Sequence, residues 1–326
     1  MCSKVGPLDA GHIIPAFVYR WLKKTSATGH LRGGENPNVR IQDGWKRRWF
    51  CRSCEDQIGR FERAFSEELF PVVVEQQRAP YRHGPWLSRF LASLAWRTLL
   101  LYSEQGESFD FFTPEQRALI PLAMEQWRAF VHGEAPTPGA HELHFIPMGT
   151  LADYTLDRPL PPNINRYTMR STEIHVASNT AQAFAFVKMG PAVAFGFIQP
   201  PPPNTWVGTR VAVGEGTVGG RMATPVQVLE YFIDRAKNVG VLETRRSARQ
   251  ESKIRNALAA NMERATASET FRAVDADVLR FGIERVFSSE DEPNSGKSNA
   301  RMPPQQGGPV PGSDLKMGKR SSRENE

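Results

Sequence analysis

The sequence predicts an α+β fold: a small N-terminal ββα module, then a larger mixed domain of helices with a small antiparallel sheet. Three observations carry this. The run Cys51-Arg-Ser-Cys54 stands between a basic, aromatic stretch of strand character (residues 45–50) and a stretch with 3-4-4 apolar spacing at Ile58, Phe61, Phe65 and Leu69. Residues 86–102 are apolar almost throughout and read as the core helix of the second part. From Glu173 to Ile198, β-branched and aromatic residues gather around a Gly190-Pro191 turn, which reads as a two-strand meander.

The elements follow in order. Cys2 and the Gly6-Pro7 turn open a knuckle and hairpin over residues 1–15. Ala16 to Leu22 reads as a short helix with Phe17, Trp21 and Leu22 inward. Residues 25–44, rich in Gly and Asn, read as an exposed loop. Trp45 to Phe50 is the strand that delivers Cys51, and a helix runs from Cys54 until Pro71 ends it or starts the next segment. Thr113-Pro114-Glu115-Gln116 starts a helix, with Pro at its first position, that Gly133 ends. Residues 134–165 are Pro-rich and loop-like, and His141 and His144 within them read as surface residues. Trp206 to Val213 reads as one more strand and Gly214 to Gly220 as a plain turn. Helices are expected over 225–237, 245–272 and 275–287. Beyond Ser288 apolar residues are scarce, so 288–326 reads as a disordered tail. The division expected is 1–75, 76–287 and 288–326.

Composition narrows the function. With 326 residues and 40% hydrophobic content the chain can bury a sizeable core. No apolar run reaches about 18 residues, so no membrane span is expected. The start lacks a basic-then-apolar signal pattern, so a cytoplasmic location is expected. Three cysteines in so long a chain argue against a disulfide framework. Residues 1–63 hold 12 of the 41 Lys+Arg and 6 of the 35 Asp+Glu, leaving 29 of each for the rest. The whole surplus of +6 therefore lies with the cysteine module. A basic surplus beside aromatic residues attracts a phosphate backbone, and the alternative is a solvated basic face.

All three cysteines, Cys2, Cys51 and Cys54, belong to this module. A Cys-x-x-Cys at a strand-to-helix junction offers two thiolates to zinc, about 2.3 Å from each sulfur. A redox dithiol is the alternative, but that motif usually sits in a βαβ context. Three cysteines leave a fourth zinc corner open, which His12 could fill. Glu55 and Glu62 lie two helical turns apart, on one side.

Cys2-Ser-Lys-Val-Gly-Pro-Leu, His12-Ile-Ile-Pro-Ala-Phe, the Asn36–Asn38 segment and Cys51-Arg-Ser-Cys-Glu together resemble zinc-knuckle, treble-clef HNH endonuclease-like proteins. More narrowly, they are similar to a group of uncharacterised bacterial proteins with a His-Ile-Ile-Pro-x-Phe segment. The resemblance covers about the first 75 residues. It places Cys2 at the second cysteine of a first knuckle whose partner would lie upstream of Met1, which implies a start placed too late or a degraded knuckle. It implies structural zinc on Cys2, Cys51 and Cys54. It makes His12 the general base that deprotonates the attacking water, aided by Mg²⁺ or another divalent ion. It gives Asn36 or Asn38 the part of fixing the histidine or its loop, with Asn38 the residue chosen. It implies DNA as partner, gripped by Lys46, Arg47, Arg48 and Arg52. Two positions depart from the pattern. The residue before the histidine is commonly acidic and here is Gly11. The helix position after the second cysteine is usually His or Asn and here is Glu55, which can still ligate Mg²⁺ through oxygen.

Duller roles stand beside these. His12 could complete a zinc tetrahedron or merely pack. Glu55 and Glu62 could be a helix N-terminal acid and a surface charge. Two function classes result: a metal-dependent endonuclease, or a non-catalytic zinc-stabilised nucleic-acid-binding or interaction protein. A third leaves the function to residues 76–287, with the zinc module as a staple.

Overall fold

The computed structural model describes residues 7–32, 36–76, 79–106, 109–149 and 159–287, with the backbone of Lys316–Met317. Strand β1 (Leu8–His12) leads into α1 (Ala16–Lys24), then a two-stranded ribbon, β2 (Leu31–Arg32) with β3 (Arg40–Ile41), then β4 (Lys46–Cys51). β4 returns antiparallel to β1, pairing His12 with Lys46 and Leu8 with Cys51. α2 (Arg52–Ala64) follows with no intervening loop, because Cys51 ends the strand in extended backbone and caps the helix. The three elements make the ββα unit. Of the insert between β1 and β4, α1 is the short helix expected over 16–22, and the ribbon lies in the stretch 25–44 expected as an exposed loop, where Ser26 and Ala27 are buried.

The helix does not stop at Pro71. It widens into a π turn over Phe65–Leu69 and continues as α3 (Phe70–Val74). A proline has no N–H for the regular ladder, and a local change of winding accommodates it. The apolar spacing carries through, burying Cys54, Ile58, Phe65, Leu69 and Val73.

β5 (Tyr81–His83) precedes α4 (Trp86–Glu104), which is buried on nearly every side as its composition requires. α5 (Pro114–His132) begins with a complete capping box, Thr113 accepting from the Gln116 N–H and Gln116 accepting from the Thr113 N–H. It ends at Gly133 in the left-handed region, φ 80°. Then come β6 (Leu143–Pro147), α6 (Ile164–Arg170), β7 (Thr172–Ser178), β8 (Ala183–Met189) and β9 (Ala192–Gln199). The expected two-strand meander is three strands. With β6 beyond β9, and Lys316–Met317 (here β11) beside β7, they form one antiparallel sheet in the order β11-β7-β8-β9-β6. β10 (Gly216–Val218) pairs with β5, so the glycine stretch read as a plain turn supplies a short strand. The chain closes with α7 (Val226–Thr244), α8 (Ala248–Ala259), α9 (Met262–Thr266), α10 (Glu269–Phe281) and α11 (Ile283–Phe287).

The sheet is buried on both faces. Ala183, Ala185, Val187 and Met189 join the core of α4, whereas Phe184 and Phe186 face a second core with Tyr231 and Phe232 of α7. Small residues let α4 approach closely: a β-carbon on Gly196 would lie 2.4 Å from that of Ala95. The first core also takes in Ile13, Phe50, Cys54 and Ile58, and Phe65 stacks on Phe90 of α4 with centroids 4.5 Å apart. The ββα unit therefore packs directly on the central helix.

Two further expectations are corrected. Trp206–Val213 runs beside β6 through bonds from the Phe145 N–H to Thr209 O and the Val211 N–H to Leu143 O, but makes no regular strand. Gly208, at φ 70°, breaks the extended run. His141 and His144 are buried, 7% and 1% exposed, because the Pro-rich stretch contributes β6 to the sheet. The expected knuckle at Cys2 and the expected tail lie outside the described residues, apart from the backbone of β11.

Candidate functional site around His12

His12 ends β1, and its ring leans on the insert. Its Nε2 is 2.8 Å from Oδ2 of Asp43, whose Oδ2 also lies 3.0 Å from Lys46 Nζ. The Gly44 N–H donates to Asp43 Oδ1 at 2.9 Å. Partial burial pushes the Asp43 pKa up, but Lys46, the His12 ring and the Gly44 N–H outweigh it and bring it down to about 2. Asp43 is thus a fixed anion beside the imidazole, at ion-pair distance from Nε2 but not in hydrogen-bond alignment with it.

The backbone of His12 is tied to the protein centre. Arg97, in the middle of α4 and 3% exposed, donates from Nη1 to the His12 carbonyl at 2.7 Å and to Glu62 Oε1 at 2.8 Å. Its Nε and Nη2 are held by the Ser93 carbonyl and hydroxyl. Glu62, two turns beyond Glu55, therefore serves as the half-buried partner of an arginine that clamps α2 to β1.

Glu55 lies in the first turn of α2 with its carboxyl directly over Gly11. A β-carbon on Gly11 would come within 2.1 Å of Glu55 Oε1. That oxygen is buried and has no hydrogen-bond partner among the described residues. Burial raises the Glu55 pKa to about 7, opposed by Arg97 and reinforced by Glu62, Asp9 and Asp56. Gly11 and Glu55 thus share one space. The strand gives up its side chain at position 11, and the helix delivers a carboxyl to the same place.

The thiols of Cys51 and Cys54 lie 3.5 Å apart, with the Ser53 hydroxyl 3.2 Å from Cys51. Two thiolates on one tetrahedral zinc, each about 2.3 Å from the metal, stand about 3.8 Å apart, so the pair fits two corners of such a site. Cys2 lies outside the described residues. Among the described residues no three His, Cys, Asp or Glu side chains converge as a metal-binding group. The His12 ring is taken by Asp43.

The remaining predicted residues are placed as follows. The Asn38 amide holds the turn between α7 and α8, donating to the Arg245 carbonyl at 3.0 Å and accepting from the Ser247 N–H at 2.7 Å. Asp43, not Asn38, meets the His12 ring. Lys46 and Arg48 are exposed on β4, and Arg48 also bonds the Leu8 carbonyl. Arg47 pairs with Glu104 at 2.8 Å. Arg52 is 80% exposed and lies near Asp9 and Asp56.

Sequence reasoning missed Asp43 and Arg97. Asp43-Gly44 is a turn signal just ahead of β4, and Arg97 is an arginine amid an apolar helix. It also missed a second cluster. His144 Nδ1 lies 2.8 Å from Thr209 Oγ1 and its Nε2 3.1 Å from Glu142 Oε2. This acid–imidazole–hydroxyl chain resembles a nucleophile's supporting set, but Thr209 is fully buried and offers no surface to a substrate.

No protein-family model matches the chain, and no curated protein or solved structure matches it either.

Proposed function

We propose that the N-terminal ββα unit is a metal-dependent, HNH-like endonuclease site that cleaves DNA phosphodiester bonds. One observation carries this: His12 ends the first strand with Nε2 beside Asp43, while the first turn of the adjoining helix brings Glu55 over Gly11. The His12 imidazole, with the Asp43 carboxylate beside it, would take a proton from the water that attacks phosphorus, as the bond from phosphorus to the leaving oxygen breaks. Glu55, ionised, would hold a divalent ion such as Mg²⁺, which supplies charge stabilisation at the leaving oxygen. Cys51 and Cys54, with Cys2, would hold structural zinc in a treble-clef-like module. Exposed Lys46 and Arg48 on β4, with Arg52 at the start of α2, would meet the phosphates.

The test is nicking of supercoiled plasmid DNA with Mg²⁺ or Mn²⁺. Cleavage by the native chain, falling roughly a hundredfold or more in His12→Ala with DNA binding retained, is the expected result. A native chain that binds DNA and never nicks it overturns the catalytic assignment. That outcome favours a non-catalytic zinc-stabilised nucleic-acid-binding module, to which the +6 surplus within residues 1–63 independently points.

A further inference from the structure

Far along the same helical rod from Glu55, the end of α3 opens onto a cavity of about 610 Å³. Val73, Tyr81, Met148, Met222, Leu229 and Phe232 form its walls, where α3, β5, β6 and the start of α7 meet. We propose that it is a binding site for an uncharged, mainly hydrocarbon small molecule with a single hydrogen-bonding end.

Size is the first reason. Ligand sites span roughly 300–1,000 Å³, whereas protein interiors leave few voids larger than a water. Charge is the second. Among the described residues no Lys, Arg, His, Asp or Glu lines the cavity. An ionised ligand would lose its hydration there with no counter-charge, while a neutral hydrocarbon gains about 25 cal/mol for each Å² it covers. Composition is the third. Met148 and Met222 are unbranched and polarisable and adapt to a variable apolar shape, and hydrogen-bonding side chains come from Gln76, Tyr81 and Thr224. Backbone geometry is the fourth. Gln76 sits in the left-handed region, φ 52°, unusual for a residue with a side chain. That conformation sets its amide over Gly149, where a β-carbon would come 2.6 Å from Gln76 Oε1. Strain of this kind persists where a site is pre-shaped. The site stands independently of the nuclease assignment and gives residues 76–287 a chemistry of their own.

The probe is N-phenyl-1-naphthylamine, an uncharged dye that fluoresces in apolar surroundings, titrated into the full chain. Saturable binding to a single site is expected. Val226→Trp places bulk at the rim on a residue that is 48% exposed, so the fold tolerates it. Leu229→Trp fills the wall. Both should weaken the dye on the order of tenfold or more with an unchanged circular dichroism spectrum, and His12→Ala should leave it unaltered. The anionic dye 8-anilinonaphthalene-1-sulfonate should bind far more weakly. Lack of saturable binding, binding indifferent to both tryptophans, or preference for the anionic dye would overturn the proposal.

Discussion

Gly11 has no side chain, and the Glu55 carboxylate occupies the space one would need. A methyl at Gly11 would stand 2.1 Å from Glu55 Oε1. The atoms in the way are the end of a flexible side chain, so Gly11→Ala should displace the Glu55 carboxyl at a modest cost, about 1 kcal/mol or less in urea unfolding. Shortening the partner removes the clash, so Gly11→Ala combined with Glu55→Ala should cost less than the two changes summed. A double-mutant cycle with strictly additive effects would mean that Glu55 moves aside without cost.

Arg97 reaches from α4 to the His12 carbonyl and to Glu62. Removing one member of a fully buried pair costs about 3–5 kcal/mol, and that is an upper bound here, since Glu62 is 22% exposed and stays partly hydrated. Arg97→Met should cost up to that much in chemical denaturation and free the end of β1. Glu62→Gln retains a hydrogen-bond acceptor and should cost less. Equal costs for the two substitutions would show that the His12 carbonyl contributes nothing to the clamp.

The long helices were legible because their signals are local. Thr113 and Gln116 fix one end of α5 and Gly133 the other, all within the segment they bound. The helix from Arg52 was legible as far as Leu69 for the same reason, whereas its continuation through Pro71 to Val74 was not, because a proline reads locally as a stop or a new start. The central sheet was legible only in part: the strands on either side of the Gly190-Pro191 turn were expected, but β7 was not separated from β8, because both faces are buried and polar alternation vanishes along the strands. β6 was hidden by neighbouring prolines, and His144 with it. In the candidate site His12, Glu55, Cys51 and Cys54 stood out by residue type and spacing. Asp43 and Arg97 did not, since an insert and a distant helix bring them to His12 and no short-range pattern records that.

His144 supplies a pH dependence away from the candidate site. Burial lowers its pKa from 6.5 to about 4, against the raising influence of Glu142. Between those values the unfolded chain holds a proton that the folded chain refuses. Stability contributed by this group is thus full above pH 6.5 and is lost as pH falls toward 4, by about 3 kcal/mol over the interval. His144→Gln, which cannot titrate, should flatten this part of the stability–pH curve measured by urea unfolding. An unchanged slope would mean that other groups control acid unfolding.

The sulfur pair makes the last prediction. Thiols 3.5 Å apart on a strand-to-helix junction are spaced as two zinc ligands would be, and zinc held there would stabilise the fold by its own binding free energy. The purified chain should carry about one zinc, and a strong chelator should lower its melting temperature by many degrees. Cys54→Ser should lose the metal and become indifferent to chelator. Because Cys54 is 2% exposed, the serine also tests packing: a cost that appears equally in the chelated native chain belongs to the core, and only the chelator-sensitive part belongs to zinc. A native chain that melts identically with and without chelator, and carries no zinc, would deny Cys51 and Cys54 a metal role and leave the ββα unit held by Arg97, by the Arg47–Glu104 pair and by its apolar contacts.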